Sequence, residues 1–469
     1  MIETASMLMR ALRQVAAVAA CAAALTGCAT LPDTAELIER HAGQTARFEN
    51  ARGPVSAKKS AAILADLKRK SGDLDILDKQ IALEQAIVGS PLIMGNKLGL
   101  LQDGVATYAA MFAAIRGATD HVNLESYIIE DDHIGHEFAD LLLEAQQRGV
   151  QVNLIHDSFG SIGTPQAFFD RLTQGGIAVV EFNPINPLDV KADWRINHRD
   201  HRKLLVVDGK IAFLGGINIS SVYSSGSVAK RAVKIVPEGA VAWRDTDLRI
   251  EGPVVAELQK LFLDTWQKQK GAPLAPREYF PMLTAQGNDI VRAIGSTPDD
   301  PYSLIYLTLI SAIGNAEKQV MLTHAYFVPD PTLLKSLTDA AGRGVDVTLI
   351  LPSHTDSGAT FHSGRSHYST LLEAGVKIHE RRDALLHSKT ALIDGVWSCI
   401  GSTNLDWRSF LDNDEINAVV IGREFAGQMK AMFDQDLAAS HPILREQWEQ
   451  RPLLMRVKEW FSRLIERLL

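Results

Sequence analysis

The sequence predicts an α/β protein made of two similar α/β/α sandwich domains, with the active site between them. The pattern H-x-K-x4-D-x6-G-[GS]-x-N occurs twice, beginning at His201 and again at His387. Before each copy, apolar β-prone runs alternate with helical patterns in the same order, and Arg-Gly-Val precedes one such run in both halves, at Arg148 and Arg343. A repeat of about 190 residues indicates two similar domains, each a largely buried sheet flanked by helices.

Residues 1–28 are typical of a bacterial export signal. Arg10 and Arg13 precede an apolar run from Val15 to Leu25, which is too short to span a bilayer comfortably. The run leads into the letters LTGC, which resemble the lipobox of bacterial lipoproteins, where cleavage would leave Cys28 as a lipid-bearing N-terminus. An alanine-rich helix of the folded domain is the alternative interpretation. Ala29 follows the cysteine, and in lipoprotein sorting as known from enteric bacteria this favours the outer membrane over the inner one.

Residues 29–95 are predicted to form an N-terminal helical extension that carries no recognisable chemistry. Leucine and isoleucine recur at helical spacing from Ala57 to Lys70 and from Leu74 to Val88. The first of the two similar domains is placed at residues 96–290 and the second at residues 291–469.

The first copy of the repeated pattern predicts a β-hairpin with polar side chains at its open end. Two apolar runs flank an Asp-Gly pair that begins at Asp208, a strong signal for a two-residue turn. With that turn, His201 and Lys203 share one face, His201 lies across from Gly216, and Asn218 follows on the same face. The small residue would leave room for a ligand beside the histidine. Asp208 would lie about 20 Å from His201 along a straight strand, so it is interpreted as a turn residue rather than a catalyst.

The second copy repeats this arrangement around Asp394, which is interpreted in the same way. His387 would lie across from Ser402, Lys389 would share its face, and Asn404 would follow. Among fourteen histidines a single H-x-K-x4-D pattern can arise by chance, whereas two copies with matching tails are far rarer. The functional interpretation is therefore preferred over two ordinary hairpins with scattered polar residues.

A pair of histidines supported by lysines and asparagines suits the cleavage of a phosphodiester. One neutral imidazole can attack phosphorus, while a second, protonated imidazole gives its proton to the departing oxygen. Histidine serves both tasks because its ordinary pKa is near neutrality. The lysines and asparagines would hold the non-bridging oxygens and offset the charge that develops on them. This chemistry requires no metal and no other cofactor.

Composition narrows the class of substrate. The chain has 469 residues, a net charge of −8 and a pI near 6. These values do not suggest a broad basic surface for binding nucleic acid. Nucleic acid is therefore not expected as a partner. The three cysteines, at positions 21, 28 and 399, have neither metal-binding nor disulfide spacing, and Cys399 is predicted to be a buried thiol.

The duplicated pattern resembles the phospholipase D superfamily, and in detail it is most similar to the bacterial cardiolipin synthases, over about residues 96 to 469. Those enzymes carry W-x-D-T-x4-E-G-P after the first copy and G-S-x-N-x-D-x-R-S-x3-N-x-E at the second. The matching residues here are Trp243, Asp245, Thr246, Glu251, Gly252 and Pro253, and then Gly401, Ser402, Asn404, Asp406, Arg408, Ser409, Asn413 and Glu415.

The resemblance implies two phospholipase D-like domains and a role for each histidine. His201 would be the nucleophile that forms a phosphohistidine intermediate, and His387 would be the general acid. Each histidine would pair with a carboxylate of the opposite half, His201 with Glu415 and His387 with Asp245. A carboxylate on the far ring nitrogen would fix the tautomer and support an imidazolium.

The implied reaction is phosphatidyl transfer between phospholipids, and the formation of cardiolipin from two phosphatidylglycerols is its best match. Hydrolysis to phosphatidic acid shares the first step and is the alternative, since pocket shape and water exclusion choose the acceptor. The acidic pI and the fused repeat count against a nuclease of the same superfamily, and the two complete motifs count against a non-catalytic envelope scaffold.

The anchoring implied by the N-terminus differs from that of the relatives. Many cardiolipin synthases carry N-terminal transmembrane helices, whereas this chain has a lipobox and no apolar run of spanning length. The protein is therefore expected to be an exported lipoprotein that is anchored in the cell envelope through Cys28 and faces the periplasm.

Two segments could also touch lipid. Ser221–Val241 is a long insert in which apolar and basic residues are interleaved, and a surface loop without lipid contact is the alternative. Leu453–Leu469 carries an apolar helical stripe with basic residues elsewhere on the helix. This segment could lie at a membrane interface or pack on the domain core.

Overall fold

The structure is a computed structural model that describes residues 46–72, 74–185, 195, 197–224 and 242–469. The predicted export signal with Cys28 and most of the insert at residues 221–241 lie outside the described residues. Within the described part of the chain, no helix is both long enough and apolar enough to cross a bilayer.

Strands and helices alternate along both halves of the chain. The strands are β1 (Phe48–Asn50), β2 (Gly53–Pro54), β3 (Leu92–Gln102), β4 (His121–Ser126), β5 (Gln151–Asp157), β6 (Ala178–Phe182), β7 (Arg199–Asp200), β8 (Lys203–Val207), β9 (Ile211–Gly215), β10 (Trp243–Arg244), β11 (Thr246–Glu251), β12 (Asp289–Ser296), β13 (Gln319–His324), β14 (Asp346–Pro352), β15 (Lys377–Arg381), β16 (Leu385–Leu386), β17 (Lys389–Ile393), β18 (Trp397–Gly401), β19 (Asn413–Ile421) and β20 (Ser440–Pro442). The helices are α1 (Ala57–Ser71), α2 (Asp75–Ile87), α3 (Asp103–Arg116), α4 (His133–Gln147), α5 (Gln166–Gln174), α6 (Val255–Lys268), α7 (Leu304–Gly314), α8 (Pro331–Gly342), α9 (Gly358–Ser366), α10 (Tyr368–Glu373), α11 (Trp407–Leu411), α12 (Arg423–Ala438), α13 (Arg445–Glu449) and α14 (Leu453–Arg463). Short 3-10 turns lie at Ser221–Tyr223 and Glu466–Leu468.

The two halves contain equivalent sheets. The strand order is β6-β5-β4-β8-β9-β11-β3 in the first half and β15-β14-β13-β17-β18-β19-β12 in the second. Each sheet combines three parallel strands with the antiparallel hairpin that carries the repeated motif. β3 also pairs with β12, so the two sheets form one continuous sheet. The predicted α/β architecture of two similar units is confirmed.

The halves share an apolar core. Side chains from β8, β9 and β11 of the first half, such as Leu214, meet side chains from β17, β18 and β19 of the second half, such as Ile416. Helices α6 and α12 contribute Phe262 and Met429 to this core. Because burial of such side chains is the main favourable term in folding, the shared core fixes the position of one half against the other.

The described part of the N-terminal extension packs on the second half. Phe48 and Ile81 belong to the buried core that covers the outer side of the second sheet, and β1 pairs with β3. Gln80 Nε2 donates to the backbone carbonyl of Thr308 (2.8 Å), and Trp397 Nε1 donates to Glu84 Oε1 (2.8 Å). The described residues between 46 and 91 therefore pack mainly against the second unit, while β1 pairs with β3 of the first.

The motif hairpins have a register that differs by one residue from the predicted one. The Asp-Gly turn does form, because Asp208 and Gly209 both have positive φ and Lys210 N donates to Val207 O (3.0 Å). However, Val207 pairs with Ile211, so Lys210 is an extra loop residue that shifts the pairing. The second hairpin has the same three-residue loop.

The motif aspartates bind the backbone at the far end of each hairpin from the histidines. The Asp208 carboxylate accepts hydrogen bonds from the amides of Thr119, Asp120 and His121 at 2.8–3.1 Å. These contacts lower the pKa of Asp208 although its partial burial opposes the shift. The Asp394 carboxylate accepts from residues 317–319 in the same way. Each aspartate thus fastens the hairpin to the start of the neighbouring strand, β4 or β13.

Candidate active site

Each motif histidine directly follows a short strand that pairs with a strand of the other half. β7 pairs in parallel with the start of β19, and His201 N donates to Asp414 O (2.9 Å). β10 and β16 make the equivalent pairing, in which His387 N donates to Arg244 O (2.7 Å). The backbone therefore places each histidine beside the residue that follows on the opposite strand, Glu415 or Asp245.

Both cross-half carboxylates lie against the histidines named for them. His201 Nδ1 is 3.1 Å from Glu415 Oε1, and His387 Nδ1 is 2.6 Å from Asp245 Oδ2. Glu415 and Asp245 are fully buried. Burial opposes ionisation of Glu415, but His201 and then Lys203 lower its pKa below the ordinary value. Since a carboxylate only accepts hydrogen bonds, Nδ1 of each imidazole carries the proton and Nε2 is left for chemistry.

The small motif residues make room for these carboxylates. A Cβ added at Gly216 would overlap the Asp245 carboxylate, and Ser402, at the equivalent position, donates its hydroxyl to Glu415. The predicted pairing of each histidine with residue 216 or 402 is wrong, because of the extra loop residue. The predicted ligand space beside the histidine is likewise wrong at Gly216, since the neighbouring strand fills it.

The two motif lysines are buried next to the histidines. Lys203 Nζ donates to His201 O (2.6 Å), and Lys389 Nζ donates to His387 O and lies 2.9 Å from His387 Nδ1. Burial lowers the pKa of Lys203 to about 7 and that of Lys389 to about 8, while Glu415 and Asp245 oppose the shift. A bound anion would favour the charged form of both lysines.

The imidazoles themselves are poised in the neutral form. Burial and then Lys203 lower the pKa of His201 to about 4, against the opposing effect of Glu415. Burial and then Lys389 also lower the pKa of His387, against the effect of Asp245. A neutral imidazole is the form that can attack phosphorus, which suits His201, whereas a histidine that acts as general acid must first take up a proton.

The motif asparagines complete the two half-sites. Asn218 Oδ1 accepts from Ile128 N (3.2 Å), and its Nδ2 donates to Tyr223 Oη (3.0 Å). Asn404 is buried, and its Oδ1 has no hydrogen-bond partner among the described residues. This unpartnered carbonyl oxygen can accept a hydrogen bond from a hydroxyl group of a ligand in the cleft.

One cavity of about 450 Å³ joins the half-sites. Its walls contain both motif histidines and both motif asparagines, together with aromatic, charged and aliphatic side chains from the two halves. Among them are Tyr127, Phe159, Tyr223, Trp243, Tyr326, Asp356, Asp406, Arg408, Leu468 and Leu469. A cleft that is shared by the two halves is where the sequence placed the active site.

Three aromatic residues in contact with the histidines were missed as site residues by the sequence reasoning. The Tyr127 ring lies 5.0 Å from the His201 ring, and the Trp243 ring lies 5.3 Å from the His387 ring. Tyr223 Oη lies 3.3 Å from His387 Nδ1. Trp243 belongs to the quoted W-x-D-T motif, but no local signal marks Tyr127 or Tyr223, because their contacts come from other elements. The sequence places Tyr223 only in the insert for which lipid contact and a free surface loop are the two interpretations.

Among the residues with a described placement, no three His, Cys, Asp or Glu side chains converge so that they could hold a metal ion. Cys399 is buried in β18, and burial raises the pKa of its thiol to about 12.

Comparison with known proteins identifies the family. A family model described as "Cardiolipin synthase, PLD-like domain" matches residues 111–227 and 309–437. A cardiolipin synthase of Geobacillus thermodenitrificans (strain NG80-2) is 34% identical over 381 residues, which cover 81% of this chain and 74% of that protein. The chain belongs to the cardiolipin synthase family. The cardiolipin synthase of Halalkalibacterium halodurans is also 34% identical, over 82% of this chain and 75% of its own length. The family resemblance predicted from the motifs is confirmed.

A solved structure shows the same fold. The crystal structure of phosphatidylserine synthase from Haemophilus influenzae Rd KW20 aligns with a TM-score of 0.61 and 14% identity. The alignment covers 84% of this chain and all of that one. The cardiolipin synthase family member described here therefore has the architecture of that structure across both of its halves.

Proposed function

We propose that this protein is a phosphatidyl transferase that makes cardiolipin from two phosphatidylglycerols through a phosphohistidine intermediate. The observation that carries the proposal is the pair of matched half-sites on one cleft, in which each histidine is held by a carboxylate from the other half. The curated relatives are cardiolipin synthases, which supports a phospholipid substrate and transfer rather than hydrolysis.

In the first step, Nε2 of neutral His201 attacks the phosphorus of one phosphatidylglycerol. The bond from phosphorus to the headgroup oxygen breaks, and protonated His387 gives its Nε2 proton to that oxygen, so free glycerol leaves. Glu415 accepts the Nδ1–H of His201 and stabilises the positive charge that the ring acquires. The phosphatidyl group remains on His201.

In the second step, the glycerol hydroxyl of a second phosphatidylglycerol replaces His201. Neutral His387 takes the hydroxyl proton while the oxygen bonds to phosphorus and the N–P bond breaks. Asp245 stabilises the His387 imidazolium that forms. The products are cardiolipin and regenerated His201, and His387 again holds the proton needed for the next turnover.

Lys203, Lys389 and the side-chain NH₂ groups of Asn218 and Asn404 are assigned to the non-bridging oxygens of the phosphodiester. The lysines are buried beside the histidines, so their charges act with little screening by water. Desolvation lowers the pKa of both lysines, and an anionic phosphate bound beside them would stabilise their charged form.

The proposal includes the place of the reaction. A lipidated Cys28 would tether the chain to the periplasmic face of the cell envelope, with the outer membrane favoured by Ala29. Phosphatidylglycerol is then the substrate within reach as a membrane component. Cell fractionation and mass spectrometry of the N-terminal peptide would test this part, and an unmodified Cys28 would contradict it.

The decisive experiment uses the purified full chain and phosphatidylglycerol labelled with ³²P, followed by separation of the lipid products. Cardiolipin and an acid-labile label on the protein are expected, and His201→Ala should show neither. Phosphatidic acid without cardiolipin would replace transfer by hydrolysis. Absence of any lipid product, together with cleavage of added DNA, would overturn the proposal in favour of a nuclease.

A further inference from the structure

The C-terminal helix α14 exposes most of its apolar side chains and buries a charged one. Glu459 is buried and pairs with Arg451 (Oε2 to Nη2, 2.8 Å), whereas Trp460 and Phe461 are 58% and 57% exposed. A helix of a soluble domain normally buries its apolar stripe and exposes its charges. The exposed apolar side chains share one helical face, here named the C-terminal apolar face: Leu453, Leu454, Val457, Trp460, Phe461 and Leu464.

This face is continuous with the mouth of the catalytic cleft. The chain runs from α14 through the turn Glu466–Leu468, and Leu468 and Leu469 line the cavity that contains both histidines. Helix α14 also packs on α9, whose Thr360 lines the same cavity. From the first half, Phe159 lines the cavity and is 49% exposed. Apolar side chains from both halves are thus exposed at the cleft.

The charges beside the face favour a negatively charged partner. Arg456, Lys458, Arg463 and Arg467 are exposed on the same short segment, although the whole chain has a net charge of −8. A second copy of the chain docked face to face would bring these cations together at a cost. Tryptophan beside arginine and lysine on an apolar helix face is typical of helices that lie in the headgroup region of an anionic bilayer.

We propose that the C-terminal apolar face docks on an anionic phospholipid surface and sets the mouth of the catalytic cleft at the lipid headgroups. This inference rests on the proposed function, because it gives two-chain lipid substrates a route to the histidines without full transfer into water. The face is independent of Cys28, and a tether plus a docking face supplies the two signals that stable membrane attachment needs.

The test compares two double variants in the full chain carrying Cys28→Ser, so that no acyl chain can be attached there. Trp460→Ser with Phe461→Ser disrupts the face. Phe280→Ser with Met282→Ser is the matched control, since these side chains are also exposed but lie beside the turn at Gly209, at the far end of the hairpin from His201. Each protein is sedimented with phosphatidylglycerol vesicles and with phosphatidylcholine vesicles, at low and high salt.

The face variant should lose at least about tenfold in binding to phosphatidylglycerol vesicles relative to the control variant, and binding by the control should weaken with salt. Equal sedimentation of the two variants would overturn the docking surface, whatever the enzymatic activity. Equal binding of the control variant to both vesicle types would overturn the preference for anionic lipid.

Turnover measured on vesicle lipid and on monomeric lipid distinguishes a loss of membrane docking from a loss of catalysis. The face variant should lose about tenfold or more in turnover of vesicle phosphatidylglycerol but stay within about twofold on a monomeric short-chain phosphatidylglycerol. An equal loss on both substrates would overturn the proposal, since it would mean that the helix supports the cleft structurally. If the control variant turns over neither lipid, the proposed function fails, while the sedimentation result still decides the docking surface.

Discussion

At the scale of single residues, the two histidines have equivalent carboxylate partners but different neighbours. His201 lies beside the Tyr127 ring, whereas His387 contacts Tyr223 Oη and has Lys389 Nζ 2.9 Å from its Nδ1. A cation next to Nδ1 opposes protonation of His387 until an anion arrives. Binding of the phosphodiester would therefore favour the protonated, acid form of His387.

The roles of the two histidines can be separated with a substrate whose leaving group needs no proton. His201→Ala should abolish turnover of phosphatidylglycerol and also the release of nitrophenol from phosphatidyl-p-nitrophenol, by at least about 10³-fold in each case. His387→Ala should abolish turnover of phosphatidylglycerol but retain a burst of nitrophenol, because nitrophenolate leaves without a general acid. Stopped-flow absorbance measures the burst.

The exposed His136 gives the matched control, since His136→Ala removes an imidazole outside the cleft and should leave both reactions intact. A burst that survives in His201→Ala and disappears in His387→Ala would reverse the assignment. Substantial turnover of phosphatidylglycerol by either variant would remove the two-histidine mechanism.

At the scale of strands and hairpins, the small motif residues act through the neighbouring strand. Gly216 leaves the space that the Asp245 carboxylate occupies, and Ser402 holds Glu415 by a hydrogen bond. The two hairpins therefore support the two histidines indirectly, through the carboxylate that each hairpin positions for the other half.

Gly216→Ala should lower kcat by about 10- to 100-fold with a small effect on KM, because the added methyl displaces the carboxylate that orients His387. Gly427→Ala is the control, since a Cβ at Gly427 meets nothing within 4 Å and helix α12 gains a better helix former. Steady-state kinetics on both variants, with circular dichroism to verify folding, gives the comparison. A folded Gly216→Ala protein with wild-type kcat would show that the Asp245 position is not critical.

The strands and turns of the hairpins follow from local sequence, whereas their register and long-range contacts do not. The duplicated motif predicted the strands, the Asp-Gly turn and the residues of both half-sites, because these depend on local spacing. It did not predict the extra loop residue Lys210, since two- and three-residue loops share the same turn signal. It also did not predict that Tyr223 reaches His387, because that contact joins elements that are 164 residues apart.

At the scale of the whole molecule, buried arginines join the halves beside each histidine. Arg202 donates through Nε to Glu415 O (3.2 Å), and Arg244 donates through Nε to Asp436 Oδ1 (2.8 Å). Both arginines belong to the first half and both acceptors to the second. Together with the shared core, these pairs hold the two half-sites at a fixed separation, which a reaction with one histidine on each side of a phosphorus atom requires.

Buried neutral histidines make the stability of this assembly depend on pH. His156 is buried away from the motifs, its ring stacks on Phe169 at 3.8 Å, and burial lowers its pKa from 6.5 to about 4. Between these values the unfolded chain binds a proton at this site and the folded chain does not. Protons therefore favour unfolding, and the free energy of unfolding should fall as the pH falls from about 6.5 to about 4.

Buried carboxylates with raised pKa values have the opposite effect on the pH dependence of stability. Asp247 is one of them, because burial raises its pKa to about 8. Comparing the wild type with a variant at position 156 separates the effect of His156 from theirs. The free energy of unfolding in urea is measured from pH 7 to pH 4.5 for the wild type and for His156→Gln, with His133→Gln as the control for loss of an exposed imidazole. The wild type should lose stability relative to His156→Gln by up to about 1.4 kcal/mol per pH unit below pH 6.5. A difference in stability that stays constant with pH would mean that His156 is protonated equally in the folded and the unfolded state. That result is incompatible with a buried His156 ring that stacks on Phe169.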